Sequence, residues 1–181
     1  MAIIITSKQL ENTTNFEAFI GYNKNVLIGS ALFTKDEGWL SKQIQRATKH
    51  KTKQEEFIPS HIGSIVSING QVYLFNMVPP RASCILLQDF LEDTDDEYRI
   101  VLRDFSLKIP EYNQFILHRN GKRYGYFSAL QSATRLLKFI PNRKEHCSEI
   151  HTKALQEQGL LKGLRADNVT PVELYDLLTH L

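Results

Sequence analysis

The dipeptide Asn69-Gly70 stands between two runs of β-branched and aromatic residues, Ile62 to Ile68 before it and Gln71 to Val78 after it. A two-residue type I′ turn needs positive φ at both central positions, and Asn-Gly meets that need at low steric cost, so the stretch specifies a tight antiparallel hairpin. The turn also sets the register. With Ile68 paired to Gln71, His61 falls opposite Val78, and Asn76 lies diagonal to His61 on the same face. Asn76 shares that face with Val72 and Leu74, a surface otherwise suited to burial, so its amide needs a partner. A strand-end amide bonded to backbone and an amide that orients His61 fit this pattern equally well. Pro79-Pro80 ends the second strand, because proline has no N–H for a ladder.

The rest of the chain alternates strand and helix signals. Val26 to Phe33 and Tyr98 to Phe105 read as strands, and Gly38 to Lys49 as a short helix with Trp39, Leu40, Ile44 and Ala47 at helical spacing. Ala82 to Leu91 reads as a helix, and Pro110 opens another that carries Tyr112, Phe115 and Ile116. Ser128 is placed to cap a helix striped by Leu130, Ala133, Leu136, Leu137 and Ile140, which Pro141 ends. Cys147 to Gln158 follows as a helix with Gly159 as its stop, and Thr170-Pro171-Val172-Glu173 is a capping box that opens the last one. Residues 1 to 24 are weakly patterned and are expected to be an N-terminal extension packed on the body through Phe16, Phe19, Ile20 and Tyr22. With no repeat and no linker, the expectation is one α+β domain over residues 1–181 with a central antiparallel sheet.

Charge excludes some partners. A formal net charge of +2 is too small to argue for nucleic acid or an anionic membrane as principal partner. The run Lys49 to Glu56 reads as a solvated loop, and Glu92 to Glu97 as a surface turn, since it lacks the glycine and distal glutamate of a calcium loop. Two cysteines, Cys84 and Cys147, make neither a disulfide framework nor a zinc pattern, so a reducing compartment and no cofactor or metal are expected. The start carries no leader pattern and no apolar run approaches the roughly 20 residues that span a bilayer, so the expected location is cytoplasmic.

Chemistry enters with Cys147. A thiol in the first turn of a helix feels the positive end of the helix dipole and unpaired N–H groups, which favour its thiolate, and a thiolate attacks carbonyl carbon. A histidine brought beside it by the fold would serve as base; His61, far upstream, is the candidate. A cysteine and a histidine alone favour the plainer reading of a core thiol. His146 and His151, which flank the cysteine, read as surface residues, and Cys84 as a core thiol.

Their order adds a further signal. Ser60-His61-Ile62-Gly63 on one strand, Val72 to Pro79 on the next, Tyr124-Gly125-Tyr126, and Cys147-Ser148-Glu149-Ile150 at a helix start together resemble the circularly permuted members of the NlpC-like branch of papain-fold cysteine peptidases and amidases. In that branch the strand histidine precedes the helix cysteine. The Leu40 to Ala47 helix, the Arg103 region and the Thr170-Pro171 helix extend the resemblance over residues 25 to 181. It implies a permuted papain-like fold, Cys147 as nucleophile, His61 as base and acid, Asn76 as the residue that orients His61, and the Cys147 backbone N–H with Tyr124 as oxyanion donors. Many relatives carry Glu where Asn76 stands, and Gly-Asp where this chain has Lys24-Asn25-Val26. The implied activity is a thiol hydrolase, peptidase or amidase, acting on a peptide, amide or acyl substrate. Acyltransferase or esterase chemistry on a lipid-like substrate, and a binding or virion-associated protein that keeps the fold without turnover, are the alternatives the resemblance leaves.

Overall fold

The computed structural model describes residues 2–11, 13, 15–36, 38–49, 52, 56–102, 107–125, 129 and 144–180. Among them, six strands form one sheet: β1 (Ile3–Thr6), β2 (Ala31–Lys35), β3 (His61–Ile68), β4 (Gln71–Met77), β5 (Ala82–Leu86) and β6 (Glu97–Leu102). Their spatial order is β1-β6-β2-β3-β4-β5, and every neighbouring pair is antiparallel. The helices are α1 (Ser7–Leu10), α2 (Phe16–Leu27), α3 (Trp39–Thr48), α4 (Leu87–Asp93), α5 (Ile109–Leu117), α6 (Cys147–Glu157) and α7 (Pro171–His180). This is the mixed α+β architecture with a central antiparallel sheet.

The hairpin forms as its turn requires. Asn69 and Gly70 take φ of 50° and 82°, Ile68 pairs with Gln71, and the register runs unbroken to Gly63 opposite Asn76. Alternation then sorts the side chains. Ile62, Val66, Phe75 and Met77 meet Tyr112 of α5, Ile150 of α6 and Tyr175 of α7 in one cluster. Ile65, Val72 and Leu74 face the other way and join Leu27 of α2 and Leu87 and Leu91 of α4. Helices therefore cover both faces of the sheet, and a strand such as β3, buried on both sides for most of its length, reads as a nearly continuous apolar run.

Three segments differ from the sequence reading. Residues 3–6, weakly patterned in the sequence, are an edge strand of the sheet, paired from Ile3 with Leu102 to Thr6 with Arg99. Val26 lies in α2, which Asn15 caps by accepting from the Ala18 N–H at 2.8 Å; the strand begins only at Ala31, after Gly29 turns the chain at φ 91°. Residues 82–86 form a strand, not the start of a helix, because β4 offers them a ladder from Met77–Ala82 to Tyr73–Leu86. Cys84 is consequently half-buried on an edge strand at the rim of the core. The last helix starts as read: Thr170 N–H donates to Glu173 at 3.0 Å and Glu173 N–H donates back to the Thr170 hydroxyl at 3.2 Å. Arg103, Tyr126, Ser128 and the stripe from Leu130 to Ile140 lie outside the described residues. Among the described residues no helix is long and apolar enough to cross a membrane.

Candidate functional site

His61 opens β3, Asn76 stands next to the last residue of β4, and Cys147 is the first residue of α6. The register puts Asn76 opposite Gly63 and diagonal to His61, and the two side chains meet: the ring Nε2–H of His61 donates to Asn76 Oδ1. Oδ1 can only accept, so this contact fixes the proton on Nε2 and leaves Nδ1 for the sulfur. Cys147 and His61 share a side-chain hydrogen bond, and the Ile62 backbone N–H also donates to the sulfur. Gly63 keeps the strands close here, since a Cβ at that position would come within 2.5 Å of Leu74 Cδ1.

The electrostatics run in opposite directions for the two partners. Burial pushes the Cys147 thiol up, but the His61 charge, its hydrogen bond, the His146 charge and the Ile62 N–H together draw it below its ordinary value. Burial pulls the His61 ring down, yet the facing Cys147 thiolate, the bond to it, the bond to Asn76 and the field of Asp36 hold the ring above its ordinary value. A thiolate and an imidazolium therefore stabilise each other. Asp36 itself accepts from Gly38 N–H and the Ser41 hydroxyl at the start of α3, so its charge is held in place.

The helix that carries the sulfur is fixed on several sides. Ser148 donates to the Val169 carbonyl at 2.7 Å, and residues from Cys147 through Thr152 are all buried. His146 and His151 are not surface residues; each is 1% exposed. His146 places Nδ1 3.1 Å from the Glu149 carboxylate and Nε2 3.3 Å from the Val169 carbonyl. Burial raises the Glu149 carboxyl, but His146 and Lys153 outweigh it and hold the group down to about 2. His151 turns its Nδ1 to the hydroxyls of Ser64 at 2.8 Å and Tyr112 at 3.3 Å, and burial pulls its ring down to about 4. Those partners lie far away in the sequence, which is why the helix pattern alone did not reveal them. A usable signal was present for His146: its spacing of three from Glu149 puts both on one helical turn.

The oxyanion candidates stand as follows. The Cys147 N–H sits in the first turn of α6, where a helix supplies no acceptor of its own. Tyr124 is buried in the same cluster as Cys147, and its backbone N–H donates to the Pro80 carbonyl at 3.0 Å. Among the described residues no cluster of three or more His, Cys, Asp or Glu is placed to hold a metal ion. Compared with known proteins, the chain matches no family model and no curated protein.

Proposed function

We propose that the chain is a thiol hydrolase of permuted papain-like, NlpC-like fold that cleaves an amide bond through Cys147, His61 and Asn76. The observation that carries this reading is the chain of contacts from sulfur to ring to amide: Cys147 bonded to His61, and His61 Nε2 bonded to Asn76. Support also comes from chain order, with the histidine strand before the cysteine helix, and from the opposite displacement of the two proton affinities.

The chemistry follows from the arrangement. The Cys147 thiolate attacks the carbonyl carbon, forming a C–S bond while the carbonyl π pair moves to oxygen, where the Cys147 N–H in the first turn of α6 is the donor. Collapse of this tetrahedral adduct breaks the C–N bond, and the His61 imidazolium gives its Nδ1 proton to the departing amine. A thioester remains on Cys147. Water then attacks that thioester as His61 accepts its proton, and the carboxylic product leaves with the thiolate restored. Asn76 holds the ring in plane throughout.

The test is an intact-mass experiment with short-chain p-nitrophenyl esters and the matching anilides. The parent protein is expected to gain the acyl mass on Cys147 and lose it to water; Cys147→Ala gains none, and His61→Ala acylates roughly 10² to 10⁴ times more slowly. Discharge by an added amine or alcohol faster than by water would identify a transferase. No adduct on folded protein with any ester or anilide would overturn catalysis and leave the binding-protein reading.

A further inference from the structure

Behind the first turn of α6 lies a cavity of about 470 Å³. Three pieces of chain wall it: Met77, the residue after Asn76; the turn following α5; and the start of α6 itself. The turn is held on both sides. Ala82 N–H donates to the Lys122 carbonyl at 2.8 Å, Arg123 bridges to Arg81, and Gly125 N–H donates at 3.0 Å to the carbonyl of Glu145, two residues before the sulfur.

The cavity carries a positive excess. Arg119, Lys122, Arg123, Lys144 and Lys153 line it against two carboxylates. Both carboxylates are engaged in framing it. Glu145 receives Arg119 at 2.9 and 3.3 Å and Lys153 at 2.9 Å, while Glu149 receives Lys153 at 2.7 Å and His146 at 3.1 Å. Cations therefore outnumber carboxylates by three, in a hollow whose size falls within the range of small-ligand sites. Arg119 and Lys153 already meet these carboxylates, and arginines and lysines are suited to the oxygens of a carboxylate or phosphate.

We propose that this cavity is a subsite for an anionic group, a carboxylate or phosphate, borne by the substrate whose acyl carbon meets Cys147. The inference rests on the thiol-hydrolase reading and names its substrate class: acyl compounds with a negative charge near the scissile bond.

Alkylation tests both parts separately, with anionic iodoacetate and neutral iodoacetamide as probes and Cys84 as a second thiol in the same chain. The iodoacetate-to-iodoacetamide rate ratio at Cys147 is expected to exceed that at Cys84 by on the order of tenfold at low salt. It should fall as salt rises from about 0.01 M to about 1 M, where screening shortens to a few Å. Lys122→Glu with Arg123→Glu should bring the ratio down to that of Cys84; Lys122→Gln alone serves if the double variant does not fold. N-acetyl-glutamate and inorganic phosphate, added as competitors, distinguish the two anions by which one slows iodoacetate. A ratio indifferent to salt, to charge reversal and to both competitors, at a thiol that titrates low, overturns the subsite alone. A thiol that titrates like a free cysteine overturns the hydrolase reading instead; amide shifts of Lys122 and Arg123 with N-acetyl-glutamate or phosphate then still decide whether the cavity binds anions.

Discussion

Asn76 meets His61 with an oxygen that carries no charge. A carboxylate there would both align the ring and stabilise its proton; an amide aligns it and leaves more of the stabilisation to the thiolate across from it. Two consequences belong to these residues. Removing the amide with Asn76→Ala frees the ring to turn, so the Cys147 titration midpoint should rise toward the free-cysteine value of about 8.5, and acylation should slow by roughly 10²-fold. Iodoacetamide kinetics across pH read the first and ester acylation the second; an unchanged midpoint and rate would make Asn76 a structural amide. The pH profile of acylation has a defined sign in both limbs. If the chain is the proposed hydrolase, its acylation rate should rise as Cys147 loses its proton, below the ordinary thiol range, and fall as His61 loses its own, above the ordinary imidazole range. Asn76→Asp should move the second limb further up.

At the scale of elements, the site depends on one close crossing. Gly125 packs against the segment that leads into α6, and a Cβ there would stand 2.8 Å from the Glu145 carbonyl oxygen and closer still to that of Lys144. Backbone cannot yield as a side-chain tip can. Gly125→Ala should therefore cost about 1–3 kcal/mol, read as a lowered urea midpoint, and slow Cys147 alkylation by displacing the helix start. A variant as stable and as reactive as the parent would show that the crossing is loose.

Elements whose cause is local were legible in the sequence: the Asn69-Gly70 turn with its register, the Thr170/Glu173 cap, and the helix begun by Pro110. That register put His61 and Asn76 diagonal on one face, because a two-residue turn leaves no freedom in which residues share a face, and left open whether Asn76 bonds the ring or backbone. Elements caused by distant partners were not legible. Residues 82–86 are a strand since β4 completes their ladder, and residues 3–6 join the sheet since β6 has an edge to fill. His151 is buried because Ser64 and Tyr112, from other elements, satisfy it. The basic cavity is likewise assembled from pieces of chain that are weak charge patterns one by one.

Across the whole molecule, α6 is tied to the sheet and to α5 through a buried polar cluster, Ser64, Tyr112 and His151, that lies one turn beyond the sulfur. Tyr112 stays protonated there, its hydroxyl pushed well above the ordinary tyrosine range by burial, so neither hydroxyl offers a charge to balance an imidazolium. His151 is then neutral in the folded state down to about 4, whereas the unfolded chain takes up the proton near 6.5. The sign follows from linkage: between those values the unfolded state binds more protons, so folding stability falls as pH falls, by up to about 3 kcal/mol. Neighbouring groups act in other windows. Glu149 and Glu145, both lowered, stabilise the fold above the ordinary carboxylate range and lose that contribution at more acid pH. His61, raised, contributes below its unfolded value and loses the contribution as pH climbs through its folded one. The interval between about 6.5 and about 4 thus belongs mainly to His151. Urea midpoints of the parent and of His151→Gln, measured through that interval, should show a slope of about one proton in the parent and a much flatter line in the variant, whatever its stability at neutral pH. Parallel losses in the two proteins would place the acid sensitivity elsewhere and free α6 from this buried tie.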